Sequence, residues 1–209
     1  MRIGIIGTGR MGSGLGRRWA ERGHEVFLGS RDPERARELA GTMGRGVRGG
    51  GIREAAAFGE AVLLATPWAG VRPSLEAAAP LDGKIVIDCT NPLSADYFSL
   101  EVGHTTSGAE EIARWAPGAR VVKAFNTVYA DVIGSSAVVG GEAATLFCCG
   151  DDVEAKRVAL TLGEELGFDV IDAGPLRNAR YLEPLAELCV QLAFAQGMGT
   201  RMALRLVRS

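Results

Sequence analysis

The stretch Arg2-Ile3-Gly4-Ile5-Ile6-Gly7-Thr8-Gly9-Arg10-Met11-Gly12 decides the fold. A short apolar run rich in β-branched residues leads into G-x-G-x-x-G, and an amphipathic stretch from Met11 to Arg22 follows. In a chain with 29 glycines the spacing alone is weak. Its setting between a buried strand and a helix makes it a dinucleotide fingerprint. Gly7 permits the tight turn, Gly9 lets the backbone approach a pyrophosphate, and Gly12 lets the helix pack close to the strand. The helix start adds free N–H groups and a partial positive charge for the phosphates.

Working outward, apolar runs alternate with amphipathic ones. Strands are expected at Arg2 to Ile6, Glu25 to Gly29, Ala61 to Thr66, Lys84 to Asp88 and Arg120 to Ala124. Helices are expected at Met11 to Arg22, Glu34 to Ala40, Ala69 to Ala79 and Ala109 to Trp115. Nearly continuous apolar strands are buried on both faces, which points to a parallel sheet between helices. Asp32 before Pro33 is a helix cap, and Gly23 closes the first helix. Residues 44–51, rich in glycine and arginine, read as a flexible surface loop around a short third strand. After Asn126 a strand (Ala144 to Cys149), a helix (Asp151 to Leu166), a strand (Asp169 to Asp172) and a last helix (Ala179 to Gln196) are expected. The fold class is α/β: a Rossmann doubly wound parallel sheet with a small C-terminal α+β extension. The expected division is residues 1–127 for the dinucleotide-binding Rossmann domain and 128–209 for a small domain closing the acceptor cleft.

Composition narrows the partners. Of the 209 residues 47% are hydrophobic and 23% charged, the balance of a packed globular chain. Twenty-three basic against 25 acidic side chains leave no cationic surplus for phosphate neutralisation, so nucleic acid is not an expected partner. No apolar run is long enough to span a bilayer, and the N-terminus is too short in apolar residues for a secretion signal. The expectation is a cytoplasmic protein with reduced thiols and no membrane partner. Four cysteines without C-x-x-C spacing and two histidines, His24 and His104, give no ligand pattern for a metal.

The coenzyme is chosen at the end of the second strand. An NAD site places an acidic residue there for the ribose 2′-hydroxyl. Here Gly29-Ser30-Arg31 offers a hydroxyl and a guanidinium, with Arg35 one helical turn further. These suit a 2′-phosphate, so NADP(H) is expected rather than NAD(H). Thr66-Pro67-Trp68, Thr90-Asn91-Pro92 and Asn126-Thr127-Val128 follow three other strands. Strand ends of an open α/β sheet face one crevice, so these segments would line a common groove. No Ser/His/Asp set exists, and Lys123 is expected either as a general acid or simply at the sheet's end. Such a site suits hydride transfer to an acceptor that is itself a redox heterocycle.

The chain resembles the NADPH-dependent reductases of the deazaflavin coenzyme F420. The resemblance rests on Gly7 to Gly12, Gly29 to Arg31, Thr66 to Trp68, Gly150 to Asp152, Asp172 to Leu176, Asn178 to Arg180, Glu183 and Gly197 to Gly199. It implies reversible hydride transfer between NADPH and coenzyme F420, in a cleft between the two parts of a homodimeric protein. It also implies that Thr8, Arg10, Met11, Ser30, Arg31 and Arg35 hold NADPH, with Asn126, Thr127 and Val128 beside the acceptor ring. Asn126 stands where archaeal members carry histidine, and Val122-Lys123-Ala124-Phe125-Asn126-Thr127-Val128 is similar also to the cytosolic domain of the STEAP metalloreductases. An FMN or FAD reductase, and a regulatory module that binds NADPH without turnover, therefore stand as alternatives.

Overall fold

The computed structural model describes residues 1–134 and 137–208. Strand β1 (Arg2–Ile6) leads to helix α1 (Arg10–Glu21), then β2 (Glu25–Ser30), α2 (Pro33–Gly41), β3 (Val47–Gly51) and α3 (Ile52–Phe58). The chain continues with β4 (Ala61–Leu64), α4 (Val71–Ala78), β5 (Ile85–Asp88), α5 (Gly108–Trp115) and β6 (Arg120–Ala124). A short α6 (Ala130–Ile133) and a hairpin of β7 (Val138–Val139) and β8 (Glu142–Ala143) follow. β9 (Thr145–Gly150), α7 (Val153–Glu164), β10 (Asp169–Asp172) and α8 (Ala179–Val190) complete it, with a wider helical turn over Gln191–Ala195.

The eight-stranded sheet has the order β10-β9-β6-β5-β4-β1-β2-β3. From β1 the chain winds outward through β2 and β3, then returns to β4, β5 and β6 on the other side. The reversal lies between β1 and β4, which pair in parallel from Ile3↔Ala61 to Ile6↔Leu64. That is where a doubly wound sheet opens a crevice. β9 runs antiparallel to β6 and β10 parallel to β9, so the last two strands extend the sheet with reversed direction. The boundary expected at 127/128 falls just after β6, and the sheet continues across it.

Alternation along the strands fills two cores. Ile3, Ile5, Leu63 and Ile87 face the layer of α1, α2 and α7, with Trp19, Phe125 and Phe168. Ile6, Leu64 and Val86 face the opposite layer, with Val71, Ile112 and Leu182. Trp19 donates to the carbonyl of Leu162 (3.1 Å), tying α1 to α7 without leaving its indole N–H unpaired.

Two details correct the sequence reading. Residues 44–51 carry the expected short third strand as β3, but Gly49 and Gly50 within it serve close packing rather than flexibility. A Cβ on Gly49 would lie 2.1 Å from the carbonyl oxygen of Ala36, so α2 packs directly on this strand. The short α3, whose apolar residues Ile52, Ala55 and Ala56 face the sheet, was not expected. By contrast, Asp32 accepts from the N–H groups of Glu34 (3.2 Å) and Arg35 (3.3 Å), the cap anticipated for α2.

Candidate active site

The glycine turn has the steric reasons the fingerprint demands. Gly7 has φ +122°, and a Cβ there would meet the Ala65 carbonyl oxygen at 2.3 Å. A Cβ on Gly12 would meet the Gly7 carbonyl oxygen at 2.2 Å. Around Gly9, in contrast, a Cβ would find nothing within 4 Å, so its outer face is open to a ligand. Helix α1 has no side-chain cap and no acidic residue in its first turn. Its free N–H groups and positive end are left for an anion. These residues fit a pyrophosphate.

A cleft of about 640 Å³ opens beside this turn. Ten of the expected residues line it: Gly9, Arg10, Met11, Thr66, Pro67, Trp68, Asn91, Asn126, Thr127 and Val128. Gly7, Thr8 and Gly12 belong to the turn itself, behind that lining. Pro92 is buried, and Ser30, Arg31 and Arg35 lie outside the cleft, at the end of β2 and the start of α2. Ser30 Oγ accepts the Asp32 N–H at 3.1 Å. Arg31 and Arg35 are both exposed, and neither guanidinium forms an ion pair among the described residues. Two free cations at this edge fit a phosphate monoester on the adenosine end of a dinucleotide.

Several buried polar atoms along the cleft have no hydrogen-bond partner in the protein: Thr66 Oγ1, Asn126 Oδ1, Thr127 Oγ1 and Tyr129 Oη. A buried polar atom without a partner costs about 1–3 kcal/mol, so a ligand that satisfies it gains correspondingly. Burial, reinforced by Cys189 and Glu187, pushes the Tyr129 phenol up to about 12, so it stays protonated at neutral pH. The opposite wall is apolar: Leu93, Ala95 and Tyr97 of the loop after β5 face Ala186, Val190 and Phe194 of α8 and its terminal turn. A C-terminal part closing the cleft is expected from the sequence, but the residues that form this wall are not, because nothing local says which face of α8 meets the crevice.

Arg10 has a partner. Its guanidinium pairs with Asp131 of α6, whose other carboxylate oxygen accepts from the Thr200 hydroxyl. The Thr200 hydrogen bond, then Arg10, hold the Asp131 carboxyl below its ordinary range. This contact connects the glycine turn to the C-terminal segment.

The sequence reading also missed a charged cluster behind the cleft floor. Lys123 Nζ lies 2.6 Å from Asp88 Oδ2, 2.8 Å from Glu183 Oε1 and 2.7 Å from the Thr90 carbonyl oxygen. All three charged residues are fully buried. Glu183 also accepts the N–H groups of Gly108 (2.8 Å) and Ala109 (3.0 Å) at the start of α5. Burial alone would lower the Lys123 pKa, but Asp88 and Glu183 outweigh it and hold the ammonium above its ordinary value. Lys123 does stand near the end of β6, beside Asp88 at the end of β5, and its ammonium is sealed inside this cluster. A charge inside the apolar run Val121-Val122-Lys123-Ala124 was the available signal, because a buried ammonium requires carboxylate partners. His104 is exposed in its loop, and His24 bonds Glu165 (2.7 Å) away from the cleft. Burial pushes the thiols of Cys89, Cys148 and Cys149 up to about 12, and Cys189 is raised likewise, so no thiolate nucleophile is at hand.

A doubly wound sheet, the glycine fingerprint at its switch point and a two-walled cleft define a dinucleotide-binding protein of the Rossmann class. The family profile "NADP oxidoreductase coenzyme F420-dependent" matches residues 2–92. The chain is 33% identical to the F420-dependent NADP reductase of Methanothermobacter thermautotrophicus, over 92% of this chain and 89% of that one. It therefore belongs to that family of NADP oxidoreductases. A solved structure from Arthrobacter sp. FB24, provisionally described as an F420-dependent NADP reductase, superposes over both whole chains with a TM-score of 0.91 at 32% identity. Metalloreductase STEAP3 of Rattus norvegicus is 29% identical over 88% of this chain, which spans only 36% of that protein. No helix among the described residues is long and apolar enough to cross a membrane.

Proposed function

We propose that the chain catalyses hydride transfer between NADP(H) and the deazaflavin coenzyme F420. The observation that carries this reading is the cleft itself. Its glycine turn fits a dinucleotide, while the facing wall of Leu93, Tyr97, Val190 and Phe194 leaves apolar room for a second planar ring. In this reading Thr8, Arg10, Met11 and the α1 N-terminus take the pyrophosphate. Ser30, Arg31 and Arg35 take the 2′-phosphate. Thr66, Pro67, Trp68, Asn91 and Pro92 shape the nicotinamide bed, and Asn126, Thr127 and Val128 meet the acceptor.

When bound, the nicotinamide supplies or takes the hydride. The protein orients the rings and excludes water, and such alignment supplies much of the rate of a hydride transfer. Thr127 Oγ1 and Asn126 Oδ1 offer unpaired polar atoms to ring substituents. Residues 1–127 bind NADP(H) and 128–209 close the acceptor side. The protein acts in the cytoplasm without nucleic acid or membrane partners. Exposed Tyr181, Leu188 and Met198, outside the cleft lining, support a homodimer.

Purified protein mixed with NADPH and oxidised coenzyme F420 should bleach the deazaflavin absorbance. No bleaching above a blank without protein rejects the proposal. FMN or FAD is the second reading, favoured by Asn126 at the end of β6, and the same assay with flavin decides it. Membership in an enzyme family argues against the third reading, binding without turnover.

A further inference from the structure

The cluster behind the cleft is charge-unbalanced. Asp88 and Glu183 carry two negative charges against the single positive charge of Lys123, and all three are fully buried. The α5 N–H groups that Glu183 accepts offset part of the excess, because a helix start carries about half a positive charge. A net negative charge remains. It lies one residue behind the cleft: Thr90, which lines the cleft, donates its N–H (2.8 Å) and hydroxyl (2.7 Å) to Asp88. The charged side chains lining the cleft, among the described residues, are Arg10, Asp131 and Glu101, and the first two pair with each other. Nothing on the lining cancels the buried excess.

We propose that this buried carboxylate excess, through Asp88 and Glu183, acts as a counter-charge for the oxidised nicotinamide ring, favouring NADP+ over NADPH in the site. The inference rests on the reading that the ring lies near Thr90 and Asn91. In the transfer a neutral dihydronicotinamide gives up a hydride, one proton with two electrons, and becomes a pyridinium cation. The acceptor ring takes that hydride and one further proton from water. Positive charge therefore grows on the nicotinamide as the hydride leaves, and a negative field behind the floor stabilises it. Neither carboxylate touches the coenzyme, so both act through the field.

The stoichiometry makes the test practicable. With two carboxylates for one ammonium, neutralising either leaves Lys123 paired. Glu183→Gln keeps an amide oxygen for one of the two α5 N–H groups, and Asp88→Asn keeps one for the Thr90 N–H and hydroxyl. Dissociation constants of NADP+ and NADPH are measured for the full chain and both variants. From a unit charge at this depth, NADP+ affinity should fall about five- to tenfold in each variant, with NADPH changing less than about twofold. A loss of shape would weaken both forms together. An unchanged NADP+/NADPH ratio in folded variants overturns the inference. Wild-type protein gives an independent measurement: NADP+ should bind more tightly than tetrahydro-NADP, whose ring is uncharged, and equal or weaker binding overturns the inference too. Failure to bind any of the three coenzymes defeats the NADP(H) reading itself, and this inference with it.

Discussion

Asn126 and Asn91 hold each other: Asn126 Nδ2 donates to Asn91 Oδ1 at 3.0 Å, and Asn91 Nδ2 donates back to the Asn126 carbonyl at 2.9 Å. Asn126 Nδ2 also donates to Leu182 of α8 at 3.0 Å. The pair thus joins the ends of β5 and β6 to the helix that builds the acceptor wall. Asn91→Ala unties it. A small misplacement of two reacting rings costs on the order of tenfold to a hundredfold in rate. Steady-state kinetics should show kcat falling by about tenfold or more. NADP+ affinity, set mainly at the glycine turn and Arg31, should change far less. A parallel loss in both would mean that the pair supports the coenzyme half instead.

Arg31→Ala addresses the other end of the coenzyme. A charge-assisted hydrogen bond to phosphate contributes about 1.5–3 kcal/mol, so NADPH affinity should fall about ten- to a hundredfold. NADH, which has no 2′-phosphate, should be almost unaffected. Titrations of both coenzymes against both proteins decide it, and equal losses would mean that Arg31 does not read the phosphate.

The glycine turn was legible in the sequence because its geometry is local. Gly7 and Gly12 meet across a single turn at the end of β1. The cap by Asp32 is equally local. On the acceptor side only Asn126 to Val128 and a closing C-terminal part were legible, since Tyr97, Phe194 and Thr200 come to one cleft only when α8 and the tail fold back over β5 and β6. Glu183 meets Gly108 across 75 residues, a distance no periodicity encodes. The reading of residues 44–51 as flexible had a physical cause as well. Glycines needed for close packing under α2 look, in sequence, the same as glycines needed for mobility.

Gly12→Ala tests the packing role in the fingerprint. Its Cβ would lie 2.2 Å from the Gly7 carbonyl oxygen, backbone that cannot move without opening the turn. Overpacking of this kind costs about 1–3 kcal/mol. Urea denaturation should show a loss of that size, and calorimetric titration should show NADPH binding weakened. An unaltered midpoint would mean that α1 can shift away freely.

Acid should weaken the contact between α5 and α8. Arg180 donates two hydrogen bonds to Glu110 (2.8 and 2.6 Å) and, with help from Ser107, holds that carboxyl below its ordinary 4.5 despite partial burial. A carboxyl depressed on folding contributes its full stability above the unfolded value and loses it as pH falls through the folded one. The Arg180 side chain is 35% exposed, so solvent screening limits the pair to about 1 kcal/mol. Arg180→Gln should therefore be less stable than wild type near neutrality, and the gap should close in acid. Unfolding curves across that range check the sign, and a gap that widens in acid would contradict it.

Lys123→Met is expected to be the most damaging substitution in the chain. It leaves Asp88 and Glu183 buried close together with no cation between them. Removing one partner from a buried ionic cluster costs about 3–5 kcal/mol, much of it the penalty on the charges left behind. Neutralising those charges should recover most of the loss. The triple variant Asp88→Asn, Lys123→Met, Glu183→Gln retains acceptors for Thr90 and for one of the two α5 N–H groups while holding no buried charge. Chemical denaturation of the single and triple variants separates the contributions. Recovery to within about 1 kcal/mol of wild type assigns the destabilisation to unpaired carboxylates. A triple variant as unstable as Lys123→Met would assign it instead to the hydrogen bond from Lys123 to the Thr90 carbonyl and to the packing of the lysine stem.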